Sequence, residues 1–373
     1  GAILLTVIQP PWGWSVLAWI SLVPIVVACV SAKRTACLLF LVYTVGTVYW
    51  LVNLTWLIPC SAPGWVALGL YLAIIWPLLA LALGFCHQQR IPMFVACAIL
   101  FVGAERLQGV PLGGFFWRYL CHSQFQNIRL IQIADIFGGA GVSLLIAMVN
   151  GLLVDLYLAF RRKQLFTART IAACLVAGSV LSGALLYGEW RMSQTEDAIT
   201  PGPRVAAVQS NVPQSIKDSS LASEEIFAEL LALSEGAAQA GADFIAWPET
   251  MIQTIMDPKI QVFLESEAEW REYDLALRRH VKDRFHLLIG AYGGHIKSLE
   301  NGEASLEKYN SAFMYSPEAI LYPDRYDKIH LVLFGETMPF RKNHRWLYRL
   351  LMKLSPYDYD YSIDAGRKYT VFP

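Results

Sequence analysis

The sequence predicts a multi-pass α-helical membrane domain followed by an α/β domain outside the membrane. Three observations lead there. The 373 residues are 55% apolar and only 16% charged, with a mean hydropathy of +0.41, too apolar for an ordinary soluble protein. The charge is unevenly placed: residues 1–200 carry 11 Lys+Arg and 6 Asp+Glu, whereas 201–373 carry 19 and 24. The second half also alternates strand-like and helix-like segments.

A helix needs roughly 20 apolar residues to span the hydrocarbon core. Runs at 14–30, 36–58, 65–86, 92–109, 139–160 and 169–188 meet or approach that length, and residues 1–8, before the PPWG break at 10–13, read as the remnant of another. Six whole spans and a remnant make a membrane domain of residues 1–195, followed by a second domain of residues 196–373. Lys33 and Arg34, then Arg90, then Arg161, Arg162, Lys163 and Arg169 occupy alternate loops, and the 59–64 loop is uncharged. Basic loops stay in the cytoplasm, so the second domain is expected on the outer, periplasmic face of the cytoplasmic (inner) membrane. The chain starts at Gly1 inside an apolar run and stops in the strand-like GRKYTVFP, and it is expected to be a fragment truncated at both ends.

Between two spans, VPLGGFFWRYLCHSQFQN (110–127) is rich in aromatics and glycine. Such residues suit an interfacial or re-entrant loop. Trp117 is its candidate lipid contact. In the second half, RVAAVQ (204–209) reads as a strand, 221–240 as a helix ending at Gly241, and ADFIAWPE (242–249) as a strand. A helix over 265–283 and a strand at HLLIGAY (286–292) follow, then the turn-rich NGEAS, then short strands near 309–315 and 319–323.

All seven cysteines lie at or before Cys174, so no disulfide framework staples the second domain. That domain is acidic overall, which argues against nucleic acid as a partner. The seven histidines show no metal-ligand spacing. GAGVS at 139–143 lies in an apolar run with no strand before it, so it is not a phosphate loop. No metal and no cofactor is expected.

Two segments can carry chemistry. FIAWPET (244–250) is an apolar strand that delivers Glu249 at its carboxyl end, where open α/β sheets bind ligands; a carboxylate there can serve as a general base. YDKIHLVLFGETMPF (326–340) places Lys328 and Glu336 in one mostly apolar stretch. A cation so placed can stabilise a developing oxyanion, and the second carboxylate can hold it charged and aimed. Taken alone, Glu249 can equally be a strand-end cap, and Lys328 with Glu336 a surface ion pair.

Together the segments resemble the nitrilase superfamily, and within it the apolipoprotein N-acyltransferase family. The likeness rests on WPE at a strand end and, some eighty residues later, Y-x-K-x-H-L-V-x-F-G-E-x-x-P. The GFFW…SQ loop (114–124), VQSNVPQS (208–215) and YNSA (309–312) fall in the matching order. Departures are Phe116, Cys121 and His122 in the loop, Asp218 after Lys217, and Leu333 and Thr337 beside the F-G-E segment.

The resemblance implies a nitrilase-like α-β-β-α sandwich for the second domain. It makes Glu249 the general base, Lys328 the oxyanion-stabilising cation and Glu336 the supporting acid, with Asn310 near the site. The nucleophile would be a cysteine just beyond residue 373. The implied reaction moves an acyl chain from a membrane phospholipid to the N-terminal amine of a diacylglyceryl-cysteine apolipoprotein, through a cysteine thioester, in a monomeric enzyme. Two other readings stay open: a membrane-tethered amidase or nitrilase acting on a soluble amide, and a cysteine-less binding or scaffold protein. For the latter, Glu105, Asp135 and Asp155 are the ionisable residues that could line a pathway.

Overall fold

In lipid every backbone polar group must be satisfied internally, so an apolar run of sufficient length folds as a helix. The computed structural model describes residues 1–111, 114–194, 199–212, 220–261, 267–298, 304–341, 343–353 and 359–372. The chain divides into two compact units, residues 1–199 and, in the main, residues 200–373.

The first unit is helical: α1 Ala2–Val7, α2 Val23–Ser31, α3 Thr35–Asn53, α4 Ala62–Ala73, α5 Ile75–Gln88, α6 Met93–Gln108, α7 Ile128–Ile131, α8 Ala134–Arg161 and α9 Ala168–Ser193. Among the described residues four helical stretches are long and apolar enough to cross a membrane: Thr35–Asn53, Ala62–Gln88, Ala134–Arg161 and Ala168–Ser193. The run at 92–109 forms the 16-residue α6, about 24 Å long at the usual rise. The run at 14–30 divides into a 3₁₀ turn, Ser15–Trp19, and α2.

Polar side chains tie this unit together. Asn150 accepts from Leu22 N and donates to Ala18 O and Ile146 O. Asp155 caps α6, its two oxygens accepting from Met93 N and Phe94 N at 3.0 and 2.9 Å. Glu105 accepts from Leu120 N, and Asp135 accepts from Tyr187 and Arg191. The three acidic residues that the sequence offers as a pathway thus each hold partners within the helical packing.

The second unit is α/β: β1 Val205–Ala207, α10 Ser220–Gln239, β2 Phe244–Ala246, β3 Ile252–Ile255, α11 Glu267–Val281, β4 His286–Ser298, β5 Ala304–Tyr315, β6 Tyr326–Asp327 and α12 Arg345–Met352. The sheet order is β1-β2-β4-β5-β6, with β3 also on β4. β1, β2 and β3 run parallel to their neighbours, while β5 is antiparallel to both β4 and β6. Ile226 and Leu230 of α10 and Leu277 and Val281 of α11 pack with Ile245, Leu287, Ile289 and Ala291 of the sheet in one buried core. Alternate residues of β4 point into that core, the period-2 pattern of a strand covered on one face by helices.

Two strand expectations need correction. Residues 319–323 form only an isolated bridge, Tyr315 to Leu321, because a tight turn intervenes in which Ala319 N donates to Ser316 O and Ser316 N to Ile320 O. The 366–372 stretch joins no ladder and is held at points by Gly366 N to Lys328 O and Thr370 Oγ1 to Arg325 O. Residues 213–215 of VQSNVPQS, Lys217, Asp218 and the first three residues of NGEAS lie outside the described residues.

Candidate active site

Glu249 owes its position to a jog in the sheet. β2 leaves the edge of β4 at Ala246, Trp247 N donates to Leu288 O at 2.8 Å, and the chain rejoins the same edge as β3 at Ile252. The intervening Pro248–Thr250 crosses directly over Gly290 of β4. A Cβ at Gly290 would lie 2.7 Å from Glu249 Cα and from Thr250 N, so only glycine admits the crossing. Trp247 anchors the strand end: its indole Nε1 donates to the buried Ser234 Oγ of α10 at 2.7 Å, and Ser234 donates to Leu230 O.

Lys328 arrives from the other side of the sheet. β6 pairs with β5 through Ser311–Asp327 and Ala312–Tyr326, and the next backbone bond, Lys328 N to Asn310 O at 2.8 Å, sets Lys328 beside Asn310. Its Nζ lies 2.8 Å from Glu249 Oε1 and 3.0 and 2.9 Å from the two oxygens of Glu336. Buried Asn310 donates through Nδ2 to Glu249 Oε1 at 2.5 Å and to Glu336 Oε1 at 2.7 Å. Glu336 sits in a turn in which its Oε2 accepts from Val332 N at 2.8 Å, and its own carbonyl accepts from Ile363 N.

The electrostatics follow from these contacts. Burial alone would lower the Lys328 ammonium, but its bonds to Glu249 and Glu336 outweigh burial and hold it above the ordinary lysine value. Burial alone would raise Glu336, and Lys328, Val332 N–H and Asn310 together bring it below the ordinary carboxylate value. Glu249 differs in surroundings from a carboxylate closed among apolar groups: its side chain is 57% exposed, because the jog carries it to the mouth of a cavity. That cavity, of about 260 Å³, is lined by Trp247, Glu249, Leu288, Gly290, Asn310 and Lys328 among others. An outward carboxylate, a fixed ammonium and an apolar wall together suit proton abstraction from a nucleophile followed by stabilisation of an oxyanion.

The structure therefore brings together Glu249, Lys328, Glu336 and Asn310. Trp117 belongs to the helical unit, where its ring packs 5.2 Å from Trp56 and 6.5 Å from Phe115. Sequence reasoning missed Ser234 and Gly290. A glycine inside an apolar strand run was the available signal for the second; a serine in a helix carries none. Among the described residues no group of three or more His, Cys, Asp and Glu is placed to hold a metal ion.

Comparison with known proteins adds independent findings. Residues 1–152 match the family model described as the apolipoprotein N-acyltransferase N-terminal domain, and residues 204–372 match that of carbon-nitrogen hydrolases. Similar curated proteins include an apolipoprotein N-acyltransferase of Geobacter metallireducens, 30% identical over 91% of this chain and 64% of the relative. Those of Rhodopirellula baltica and Chlorobaculum tepidum are 24% and 25% identical over 93% and 91% of this chain. The chain spans about two thirds of the length of these relatives, 68% and 63% for the latter two.

Proposed function

We propose that this chain, similar in its two halves to the apolipoprotein N-acyltransferase N-terminal domain and to carbon-nitrogen hydrolases, is an apolipoprotein N-acyltransferase that moves an acyl chain from a membrane phospholipid to the N-terminal amine of diacylglyceryl-cysteine in an apolipoprotein. The observation that carries the reading is the single ammonium of Lys328 held between Glu249 and Glu336 at a cavity mouth. The four long apolar helices mark a membrane protein; in this reading it lies in the cytoplasmic membrane with the α/β unit on the outer face.

In the proposed route Glu249 takes the proton of a cysteine thiol, and the thiolate attacks an ester carbonyl of the phospholipid. Lys328 balances the oxyanion while Glu336 and Asn310 keep it aimed. The carbon–oxygen ester bond breaks, a lysophospholipid leaves with the proton, and a thioester remains. The lipoprotein amine then attacks the thioester, loses a proton to Glu249 and regenerates the thiol. This chain has no cysteine after Cys174, and the thiol in this reading is the one that the resemblance places beyond residue 373. Both substrates carry acyl chains, and moving one through water costs about 0.8 kcal/mol per CH₂, which gives the helical unit a physical purpose.

The test uses the full-length protein of the source organism. Thiol alkylation before and after phospholipid addition should show one cysteine protected by lipid, and Glu249→Gln and Lys328→Ala should each abolish that protection. Protection retained in either variant overturns the assigned roles. Activity on a soluble amide with none on phospholipid supports a tethered amidase instead.

A further inference from the structure

β6 is two residues long and carries only two ladder pairs, Ser311–Asp327 and Ala312–Tyr326. So short a strand is weakly held by its own backbone, and a slip of one residue turns the following side chain to the opposite face of the sheet. The following residue is Lys328. Two further backbone bonds, Lys328 N to Asn310 O and Gly366 N to Lys328 O, continue the pairing by one residue, and side chains can add to that hold.

The candidate is Arg325. Its side chain is 17% exposed, and its guanidinium lies between two carboxylates: Nη1 pairs with the buried Asp257 just past β3, and Nε pairs with Asp327 Oδ1 at 2.7 Å. Asp327 Oδ1 also accepts from Ser311 Oγ of β5 at 2.5 Å. The guanidinium carbon stands 5.6 Å from the centre of the Tyr309 ring, and Thr370 Oγ1 donates to Arg325 O at 2.8 Å. Space for the group exists because residue 293 of β4 is glycine; a Cβ there would lie 2.5 Å from Arg325 Nε.

A guanidinium is suited to this bridge, since its rigid planar fork can hold two carboxylates at fixed angles, whereas a lysine offers one point charge on a flexible stem. One end of the bridge is on the β3 exit, three residues after Thr254 of the strand that follows Glu249, and the other is on the residue before Lys328. We propose that Arg325, through Asp257 and Asp327, is a positioning residue that locks the register of β6 and so points the Lys328 ammonium at Glu249 and Glu336. Arg325 touches none of the reacting groups; it acts through the strand.

The inference rests on the acyl-transfer reading, and its test separates the two. Full-length parent protein, Arg325→Gln, Arg325→Lys and Gly293→Ala are compared for thioester formation from phospholipid, per folded enzyme. The expected result is a fall in kcat of about 30- to 100-fold, donor KM within about twofold, and a basic limb of the pH profile displaced to lower pH as Lys328 loses its carboxylate contacts. Arg325→Lys should not restore kcat. Gly293→Ala, which keeps every charge, should fall in the same direction, and it carries the test if Arg325→Gln does not fold. Variants with parental kcat and pH profile, reduced only in yield, would overturn the inference. A parent protein that forms no thioester would instead overturn the acyl-transfer reading.

Discussion

Gly290 lies directly beneath Glu249: a Cβ added to Gly290 would stand 2.7 Å from the Glu249 Cα. The neighbouring obstacles are backbone atoms of the jog, which cannot swing aside as a flexible side chain can. Gly290→Ala should therefore displace Glu249 from Lys328. Thioester formation should fall by at least about tenfold, with a stability loss of about 1–3 kcal/mol, as overpacking costs. Circular dichroism and single-turnover acylation of the full-length protein check this.

Asn310 donates to both carboxylates through one nitrogen. Asn310→Asp replaces that donor with a third negative charge among two carboxylates, whereas Asn310→Ala only removes it. The aspartate variant should be the slower of the two, each at least about tenfold below the parent, because like charges at this range repel and disturb both acidic groups. Equal rates for the two variants would speak against the bridging role.

Glu336 is held below the ordinary carboxylate value, so its stabilising effect is present above the unfolded value and is lost as pH falls through its lower folded value. Lys328 is held above the ordinary lysine value of 10.5, so its effect is present below that pH and is lost as pH rises through its higher folded value. The melting temperature of Glu336→Gln should lie below that of the parent at neutral pH. The gap should close as pH drops below the ordinary carboxylate range near about 4, which thermal melts across pH measure directly.

Ser234 receives the Trp247 indole N–H in a fully buried bond. Ser234→Ala leaves that donor without an acceptor, at a cost of about 1–3 kcal/mol. It should also loosen the strand end that carries Glu249. Trp247→Phe removes the donor as well as the acceptor's need for it, so the double variant should be less destabilised than the two singles combined, as a double-mutant cycle on melting would report.

Composition and pattern made much of this molecule legible. Hydrophobic periodicity found the helices at 220–239 and 267–281 and the strands that begin at 205, 244 and 286 within a few residues. These are local properties, written in spacing that a single segment can satisfy alone. FIAWPET and YDKIHLVLFGET offered Glu249, Lys328 and Glu336 as candidates, and only the resemblance of the two segments together to the nitrilase superfamily implied a role for each.

Tertiary structure alone decided how those residues meet. The sequence could not show that β2 and β3 share one edge of β4, and that jog is what turns Glu249 toward Lys328. Nor could it show that Asn310 bridges the two carboxylates, that Gly290 admits the crossing, or that Arg325 spans Asp257 and Asp327. Each depends on strand pairing between segments far apart in the chain, where register is set by the packing of a whole sheet. Residue type and spacing therefore determined the chemistry on offer, and the order of the strands determined which carboxylates surround one ammonium.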